Sequence, residues 1–197
     1  NIKIIEDAAE SLGSRFTKGQ LKNSLSGTVG DMGCLSFNGN KIITSAGGGA
    51  ILTKKKSLHK KANYLINQAT DKQFNYIHNN VGYNFRMANI NAAIGLAQIK
   101  KYKHILLPER EQIFLKYNLI LSQYSWAILP KFISGARKSS CHLYQLRIKG
   151  FEEDERDELI SRLASLGIGV NVHFTPLPML SYFKGKGLNI RDYPSSY

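Results

Sequence analysis

A lysine in an unusual sequence setting is the first candidate for chemistry. Lys41 follows the apolar run 32–37 and the segment "NGN", and it precedes the glycines at 47–49. The nearest acidic residues along the chain are Asp31 and Asp71, so no local carboxylate balances its charge. A partly buried lysine loses its proton more easily and can then form a Schiff base with an aldehyde. A lone lysine in a loop is more often a solvated surface residue, so the pattern alone leaves both interpretations open.

Two further side chains could form a cofactor site together with Lys41. Asp7 ends the apolar run 2–7, and Ser36 lies in the apolar run before the lysine. Proteins of the α/β class gather ligand-binding groups at the carboxyl ends of their strands. Pyridoxal phosphate requires a lysine for its aldehyde, a carboxylate for its pyridine nitrogen and donors for its phosphate. Taken singly, however, Asp7 is more typical of a turn residue at a strand end, and Ser36 is more typical of an ordinary strand position.

The composition is that of a globular protein and narrows the possible functions. The chain has 197 residues, of which 43% are hydrophobic and 21% charged, enough for one domain or two small ones. No apolar run approaches the length of a membrane span, and we expect no membrane association. The net charge of +13 comes from scattered lysines, which favours a solvated basic face and an anionic small ligand over nucleic acid. The dispersed histidines and cysteines predict no metal site, and Cys34 and Cys141 are expected to be buried free thiols.

Hydrophobic periodicity predicts an α/β region followed by a smaller unit. Short apolar runs predict buried parallel strands at 2–7, 32–37 and 49–53. Helical spacing predicts three helices in this region. The first has Leu58, Ala62, Leu65 and Ile66 on one face, and the second has Ile90, Ala93, Ile94 and Ala97, with Asn89 as its N-cap. The third begins near Pro108 and has Ile113, Tyr117 and Ile120 on one face. After about residue 130, strands at 142–148 and 168–174 are expected to flank a helix at 152–167. Its inner stripe would be Leu159, Leu163 and Leu166, and Gly167 would follow its C-terminus.

Five segments, in this order and at this spacing, resemble the DegT/DnrJ/EryC1/StrS family of nucleotide-sugar aminotransferases. They are "IIEDAAESLGS", "GDMGCLSFNGNK", "GYNFRMANINAAIGLAQI", "HLYQLRI" and "GIGVNVHFTPL". The resemblance implies the large domain of a fold-type I pyridoxal phosphate-dependent transferase, followed by a small α+β C-terminal domain. Residues 1–125 would be the C-terminal portion of the cofactor-binding large domain, and residues 126–197 would be an incomplete small domain.

The resemblance also assigns cofactor-binding roles to five residues. Lys41 matches the Schiff-base lysine and catalytic residue, and Asp7 matches the partner of the pyridine nitrogen. Ser36 matches the serine that binds the cofactor phosphate, and Asn84 matches an asparagine that reaches the phosphate from a neighbouring subunit. Glu10 stands where the family often has Gln or His near the ring hydroxyl. This departure matters because an ionised carboxylate only accepts hydrogen bonds.

Two residues are matched to the substrate side of the site. Arg86 belongs to the same motif as Asn84, and its interpretation as a structural or interface salt bridge is about equally supported. His173 matches a histidine near the substrate end of the family's site, although a histidine on a polar sheet face is the commoner case. A further departure is Gly47, where the family commonly has Glu between the glycines after the lysine.

The implied activity is transfer of an amino group from L-glutamate to the 4-keto carbon of a nucleotide-linked deoxysugar, most simply a UDP sugar. The resemblance further implies a cytoplasmic homodimer with shared active sites and a role in surface polysaccharide biosynthesis. Family members are about twice as long as this chain, so we expect a fragment that lacks an N-terminal part and a C-terminal end. A chain without the first strands would leave open sheet edges, and we expect it to be inactive and poorly soluble alone.

Three alternatives remain at this point. An inactive truncated remnant would keep the same residues without turnover. A sugar dehydratase of the same family is disfavoured because such members replace the lysine with histidine. A basic nucleic-acid-binding domain would show salt-dependent binding to duplex DNA.

Overall fold

The computed structural model describes residues 2–196, which form two compact units. The first unit comprises Asn1–Ser125 and Leu129–Tyr144, and the second comprises Trp126–Ile128 and Gln145–Tyr197. Across the described residues no helix combines the length and the apolar character needed to cross a membrane.

The first unit contains six short strands and three helices. The strands are β1 (Ile5–Asp7), β2 (Arg15–Phe16), β3 (Met32–Ser36), β4 (Gly49–Leu52), β6 (Ile133–Ser134) and β7 (Arg137–Lys138), and the helices are α1 (Lys56–Ile66), α2 (Asn89–Lys101) and α3 (Leu107–Leu121). Strand β5 (Ala127–Ile128) belongs to the second unit. A π-helical turn at Tyr102–Leu106 joins α2 to α3, and a 3₁₀ turn covers Gln73–Asn75.

A three-stranded sheet in the order β1-β3-β4 carries Asp7 and Ser36, and Lys41 lies in the loop between its strands β3 and β4. β1 pairs with β3 in parallel, with Asp7 opposite Cys34, as predicted. The prediction that β1 is buried is wrong: Ile5 is 69% exposed because β1 lies at an edge of this sheet. The parallel orientation predicted for 49–53 is also wrong. β4 runs antiparallel to β3, and the connection at 37–48 contains no helix that could carry a parallel crossover.

The turn that follows β2 is organised around the carboxylate of Glu6, in the middle of β1. This carboxylate accepts hydrogen bonds from the backbone N–H groups of Gly27 (3.0 Å), Val29 (2.7 Å) and Gly30 (2.6 Å). Burial raises the pKa of Glu6, but the three backbone hydrogen bonds and the nearby charge of Lys54 outweigh it and hold the pKa below its usual value. Glu6 thus fixes the turn against the strand that ends in Asp7.

The three predicted helices of the first unit are all present, with changes in how they begin and which faces they bury. Asn89 is the first residue of α2 rather than its N-cap, and Ala88 takes the cap position without a side-chain bond. The face predicted for α3 is wrong. Ile113, Tyr117 and Ile120 are exposed and Phe114 is buried, because Phe132 and Tyr144 pack on it with ring centroids 6.0 and 5.1 Å away.

The second unit differs most from its prediction. It contains β8 (Arg147–Ile148), α4 (Glu153–Ser165), α5 (Ser181–Lys184) and 3₁₀ turns at Leu177–Met179 and Ile190–Asp192, and β8 pairs antiparallel with β5. The predicted strand at 142–148 is reduced to two residues, and 168–174 forms none within the described part of the chain. Alternation alone forms no strand without a partner edge. The β-α-β arrangement, and with it the small α+β C-terminal domain, is therefore not found.

Helix α4 is the part of the second unit that the sequence predicts well. Glu152 caps it in a reciprocal capping box with Glu155, which satisfies two free N–H groups at the helix start. Gly167 has a φ of +77° and donates to Ala164 O, while Ile168 donates to Leu163 O, so the helix ends in a Schellman motif as its glycine predicts. The inner leucine stripe is confirmed for Leu159 and Leu163, which are half-buried, and is wrong for Leu166, which is exposed.

Replacing Glu6 with Gln should lower the free energy of unfolding by about 1–2 kcal/mol, because the amide keeps one acceptor oxygen and places an NH2 group, which cannot accept, where the other carboxylate oxygen bonds to backbone N–H groups. Folding lowers the pKa of Glu6, so its contribution is complete above the ordinary value of 4.5 and is lost as the pH falls through the folded-state value. Urea unfolding of the complete gene product at about pH 7 and about pH 3 tests this. The difference between wild type and variant should shrink in acid, and the exposed control Glu158→Gln should show no difference at either pH.

Candidate active site

Lys41 lies in the loop between β3 and β4, and its backbone is fixed by this loop's own hydrogen bonds. Phe37 N donates to Gly48 O at 2.9 Å, and Ser45 N donates to Phe37 O at 2.9 Å, which closes the loop at its base. Ile42 and Ile43, directly after the lysine, are buried. The Lys41 side chain is itself only 12% exposed. The lysine is therefore held partly buried by a loop that cannot shift without exposing two isoleucines.

Helix α2 clamps this loop with three residues that sequence analysis missed. Asn91 Nδ2 donates to Ser45 O at 2.5 Å, and Thr44 N donates to Gln98 Oε1 at 3.4 Å. Between them Gly95 lies against Ser45, where an added Cβ would approach the serine Cβ to 3.4 Å. These residues follow one another by four and three positions on one helix face. In the sequence, these contact residues could have been recognised as a stripe of polar and small side chains along an otherwise apolar helix.

Two charged or titratable side chains face the lysine within the first unit. Glu10 Oε1 accepts a hydrogen bond from Lys41 Nζ at 2.7 Å, and the same oxygen lies 3.9 Å from His142 Nε2. The Lys41–Glu10 ion pair is the carboxylate contact that the local sequence could not predict, because 31 residues separate its partners. His142 is buried and was not identified from the sequence, where it is a single histidine in a strand-like pattern.

His142 reaches this position because its segment is tied to the loop that carries Glu10. Ser14 Oγ donates to Ser140 Oγ at 3.1 Å and accepts from Ser140 N at 3.0 Å. Arg110 on α3 donates to the carbonyl oxygen of His142 at 3.2 Å.

The adjacent Cys141 is a free, buried thiol, and burial together with the charge of Glu111 raises its pKa to about 11. Cys34 is also free but only half-buried, so the prediction of two buried thiols holds for Cys141 alone.

Ser36 lies beside Lys41, and Asp7 lies at the end of the neighbouring strand. Ser36 and Lys41 line one narrow cleft, together with Ala9, Glu10, Leu12, Ile42, Ile43 and His142. Ser36 Oγ accepts a hydrogen bond from Asn38 N at 3.4 Å. Asp7 Oδ1 accepts one from Ala9 N at 3.1 Å, and the exposed Asp7 is not among the lining residues. The structure thus brings Lys41, Glu10 and Ser36 into one cleft and leaves Asp7 at its margin in the sheet.

The remaining predicted residues lie elsewhere. Asn84 and Arg86 are exposed in the segment between α1 and α2, where the backbone of Asn84 forms a β-bridge with Asn67. Neither residue lines the cleft. His173 belongs to the second unit, where it is exposed and its ring lies edge-on to Phe174 at 6.4 Å. Their assignments to cofactor phosphate and substrate stay predictions.

Comparison with known proteins identifies the family. The sequence profile of the DegT/DnrJ/EryC1/StrS aminotransferase family matches residues 1–196, and the chain belongs to this family. It is 33% identical over 180 residues to the GDP-perosamine synthase of Caulobacter vibrioides, covering 91% of this chain and 47% of that protein. It is 32% identical over 186 residues to a UDP-4-amino-4,6-dideoxy-N-acetyl-beta-L-altrosamine transaminase of Campylobacter jejuni, covering 93% and 48%.

Solved structures agree with the sequence comparison. The PMP form of the "Putative sugar aminotransferase Spr1654" from Streptococcus pneumoniae superposes with a TM-score of 0.88 at 32% identity, covering 100% of this chain and 49% of that chain. Its PLP form matches with a TM-score of 0.85. The predicted kinship with fold-type I transferases and the predicted cofactor, pyridoxal phosphate, are confirmed at the level of the family. The chain spans about half the length of the relatives it matches.

The residues of the cleft fit this cofactor in their chemistry. Lys41 offers the amine that an aldehyde requires, Ser36 offers a hydroxyl for phosphate, and the carboxylate of Asp7 stands at the adjacent strand end. The Lys41 side chain is only 12% exposed, which limits the access of water to its amine. The fit is incomplete in one respect, since Glu10 holds the lysine as an ion pair that has to open when the amine is used.

Substituting Gly13 should disturb the loop that carries Glu10. Gly13 has a φ of +87°, and an added Cβ would overlap the hydroxyl of Tyr102, which donates to Leu12 O at 2.9 Å. Burial and the charge of Glu111 raise the pKa of Tyr102 to about 12, so this hydroxyl keeps its proton at neutral pH. We expect Gly13→Ala to cost about 2–4 kcal/mol of stability in thermal or urea unfolding.

The matched control is Gly19→Ala, which has a similar φ of +73° but no atom within 4 Å of an added Cβ. It should cost only about 1 kcal/mol, the backbone contribution alone. Equal losses in the two variants would contradict the close packing of Tyr102 on this loop.

Proposed function

We propose that this chain is the lysine-bearing part of a pyridoxal phosphate-dependent aminotransferase that acts on a nucleotide-linked keto sugar. The observation that supports the proposal most strongly is the partly buried Lys41 in a braced loop, with Ser36 lining the same cleft and Asp7 at the end of the neighbouring strand. A surface lysine would need neither the two buried isoleucines nor the clamp from α2. The chain's family membership supplies the reaction class.

Each residue has a distinct task in this proposal. Lys41 Nζ would hold the cofactor aldehyde and, once the amino donor displaces it, would carry a proton away from the substrate carbon and return it to the other reacting carbon. Ser36 would donate to the phosphate. Asp7 would pair with the pyridine nitrogen and keep it protonated. When bound, the cofactor supplies an electron sink for the carbanion that this proton transfer creates.

Other parts of the site would come from outside the cleft. Asn84 is exposed, as expected for a residue that reaches the phosphate of a neighbouring subunit, and we propose a homodimer with shared sites. Arg86 and His173 are proposed to contact substrate. Residues 1–125 would belong to the cofactor-binding large domain. Because the relatives extend to about twice this length, the complete site would require segments beyond these residues.

The substrate would be a nucleotide-linked 4-keto deoxysugar, with L-glutamate as amino donor. The wording "FNGNK" favours a UDP sugar, while one relative is named for a GDP sugar, so both belong in the assay. A net charge of +13 favours an anionic substrate of either kind. We further propose that the reaction takes place in the cytoplasm and supplies surface polysaccharide synthesis.

Removing the lysine amine should abolish turnover. In the complete gene product, Lys41→Ala should lower kcat about 10³-fold or more with UDP- and GDP-4-keto-6-deoxy sugars and L-glutamate, because no other group would move the proton. The exposed control Lys60→Ala should keep wild-type turnover. Amino-sugar formation is measured by mass spectrometry.

The outcomes separate the alternatives. Transamination retained by Lys41→Ala would contradict the proposed role of the lysine. Loss of water from the sugar without consumption of glutamate would indicate a dehydratase, and failure of the wild type to turn over either sugar would favour an inactive remnant.

A further inference from the structure

The carbonyl oxygen of Ser45 is a point at which helix α2 holds the loop that carries Lys41. Asn91 Nδ2 donates to this oxygen at 2.5 Å. Ser45 is fully buried, so water has no access that would let it replace the amide donor. A buried carbonyl group without a donor is costly, and the backbone would have to move to find another partner. The bond from Asn91 therefore has no substitute while Ser45 stays in its place.

Ser45 is also the residue at which this loop closes on itself. Its backbone N–H donates to Phe37 O at 2.9 Å, and its hydroxyl donates to Gly47 O at 2.6 Å. Lys41 lies midway along the chain between Phe37 and Ser45. A displacement of Ser45 would therefore move one end of the short segment that bears the lysine.

The buried isoleucines and the bond from Asn91 constrain this loop in different ways. Ile42 and Ile43 are held by the hydrophobic effect, which has no directional preference and tolerates small shifts of the loop along the surface that it covers. A hydrogen bond has a preferred length and direction, so the bond from Asn91 fixes where along α2 the loop lies. Gly95, one turn further along the helix, leaves room for the loop, since an added Cβ would lie 3.4 Å from the Ser45 Cβ.

We propose that Asn91 is a positioning residue for Lys41: through the Ser45 carbonyl group it fixes the loop where the lysine amine can bond to the cofactor aldehyde. The inference rests on the proposed function, because that bond is what the position serves. Asn91 does not line the cleft, so it acts through the loop alone. In the reaction that it supports, the neutral amine nitrogen bonds to the aldehyde carbon, and the aldehyde oxygen leaves as water with the two amine protons.

The test compares two forms of the cofactor that differ in their need for the lysine. Pyridoxal phosphate carries the aldehyde that bonds to Lys41, whereas pyridoxamine phosphate carries an amine in its place and binds through the remaining contacts only. Titration calorimetry of the complete gene product gives a dissociation constant for each form. A change that merely loosens the fold should weaken the binding of both forms, whereas a misplaced lysine should weaken the binding of pyridoxal phosphate alone.

The variant Asn91→Asp removes the N–H donor and keeps the shape of the side chain. Asn91 is the third residue of α2, where a carboxylate is favourable for the helix dipole, so the helix should be retained. We expect pyridoxal phosphate to bind about tenfold more weakly, the effect of one lost hydrogen bond to a buried group, and pyridoxamine phosphate to bind within about twofold of wild type. The matched control is Asn89→Asp, the same change at an exposed residue of the same helical turn, which should leave both dissociation constants unchanged.

A double-mutant cycle tests whether the effect passes through the lysine. In a Lys41→Ala background, where no bond to the aldehyde forms, Asn91→Asp should have no further effect on the binding of pyridoxal phosphate. An equal loss in both backgrounds would overturn the proposal, as would an equal weakening of the two cofactor forms by Asn91→Asp. Should Asn91→Asp fail to fold, Asn91→Leu, which has a similar size, no charge and no donor, gives the same contrast.

The proposed function and the role of Asn91 fail in different ways. If the wild type binds the two cofactor forms equally and borohydride fixes no cofactor on Lys41, the proposed function is contradicted, and Asn91 has no lysine bond to support. If the wild type binds pyridoxal phosphate more tightly and Asn91→Asp leaves that preference unchanged, the proposed function stands and the role of Asn91 is refuted.

Discussion

The candidate site depends on the burial of Ile42 and Ile43 directly after Lys41. Moving the lysine backbone would expose these two side chains, at about 1.5–3 kcal/mol each. The hydrogen bonds at the base of the loop and the clamp from Asn91 add to this constraint. A lysine is a flexible residue on a four-carbon stem, and its position becomes defined only when the backbone beneath it is fixed. The fold fixes the backbone of the lysine through apolar packing, whereas the contact of Glu10 with the ammonium group acts on the end of the side chain.

The packing of the loop places Lys41 for reaction, whereas the ion pair with Glu10 holds it in an unreactive form. It binds the ammonium form of the lysine, which is the unreactive form, and its carboxylate is the most exposed member of the group. A relative with a neutral side chain at this position would hold its lysine less tightly in the absence of cofactor. The Nε2 atom of the buried His142 lies 3.9 Å from the same carboxylate oxygen.

Sequence reasoning was most accurate where a local signal decides the structure. The span of α4, its acidic start and its end at Gly167 follow from capping rules, and β3 follows from its apolar run. It failed where a distant partner decides. The exposure of β1 depends on its place at the sheet edge, and the missing strand at 168–174 depends on the absence of a neighbouring edge among the described residues. The Lys41–Glu10 pair and His142 were not predictable because they join segments far apart in the chain. The ordered family motifs, by contrast, identified the family from residues whose individual patterns were ambiguous.

The central claim is that Lys41 is the residue that holds pyridoxal phosphate. The most direct measurement is to incubate the complete gene product with the cofactor, reduce with borohydride, and identify the modified lysine by peptide mass spectrometry. The account predicts that the reduced cofactor is found on the peptide that contains Lys41, at close to one equivalent per chain. An unmodified Lys41, or label spread over the exposed lysines, would contradict it.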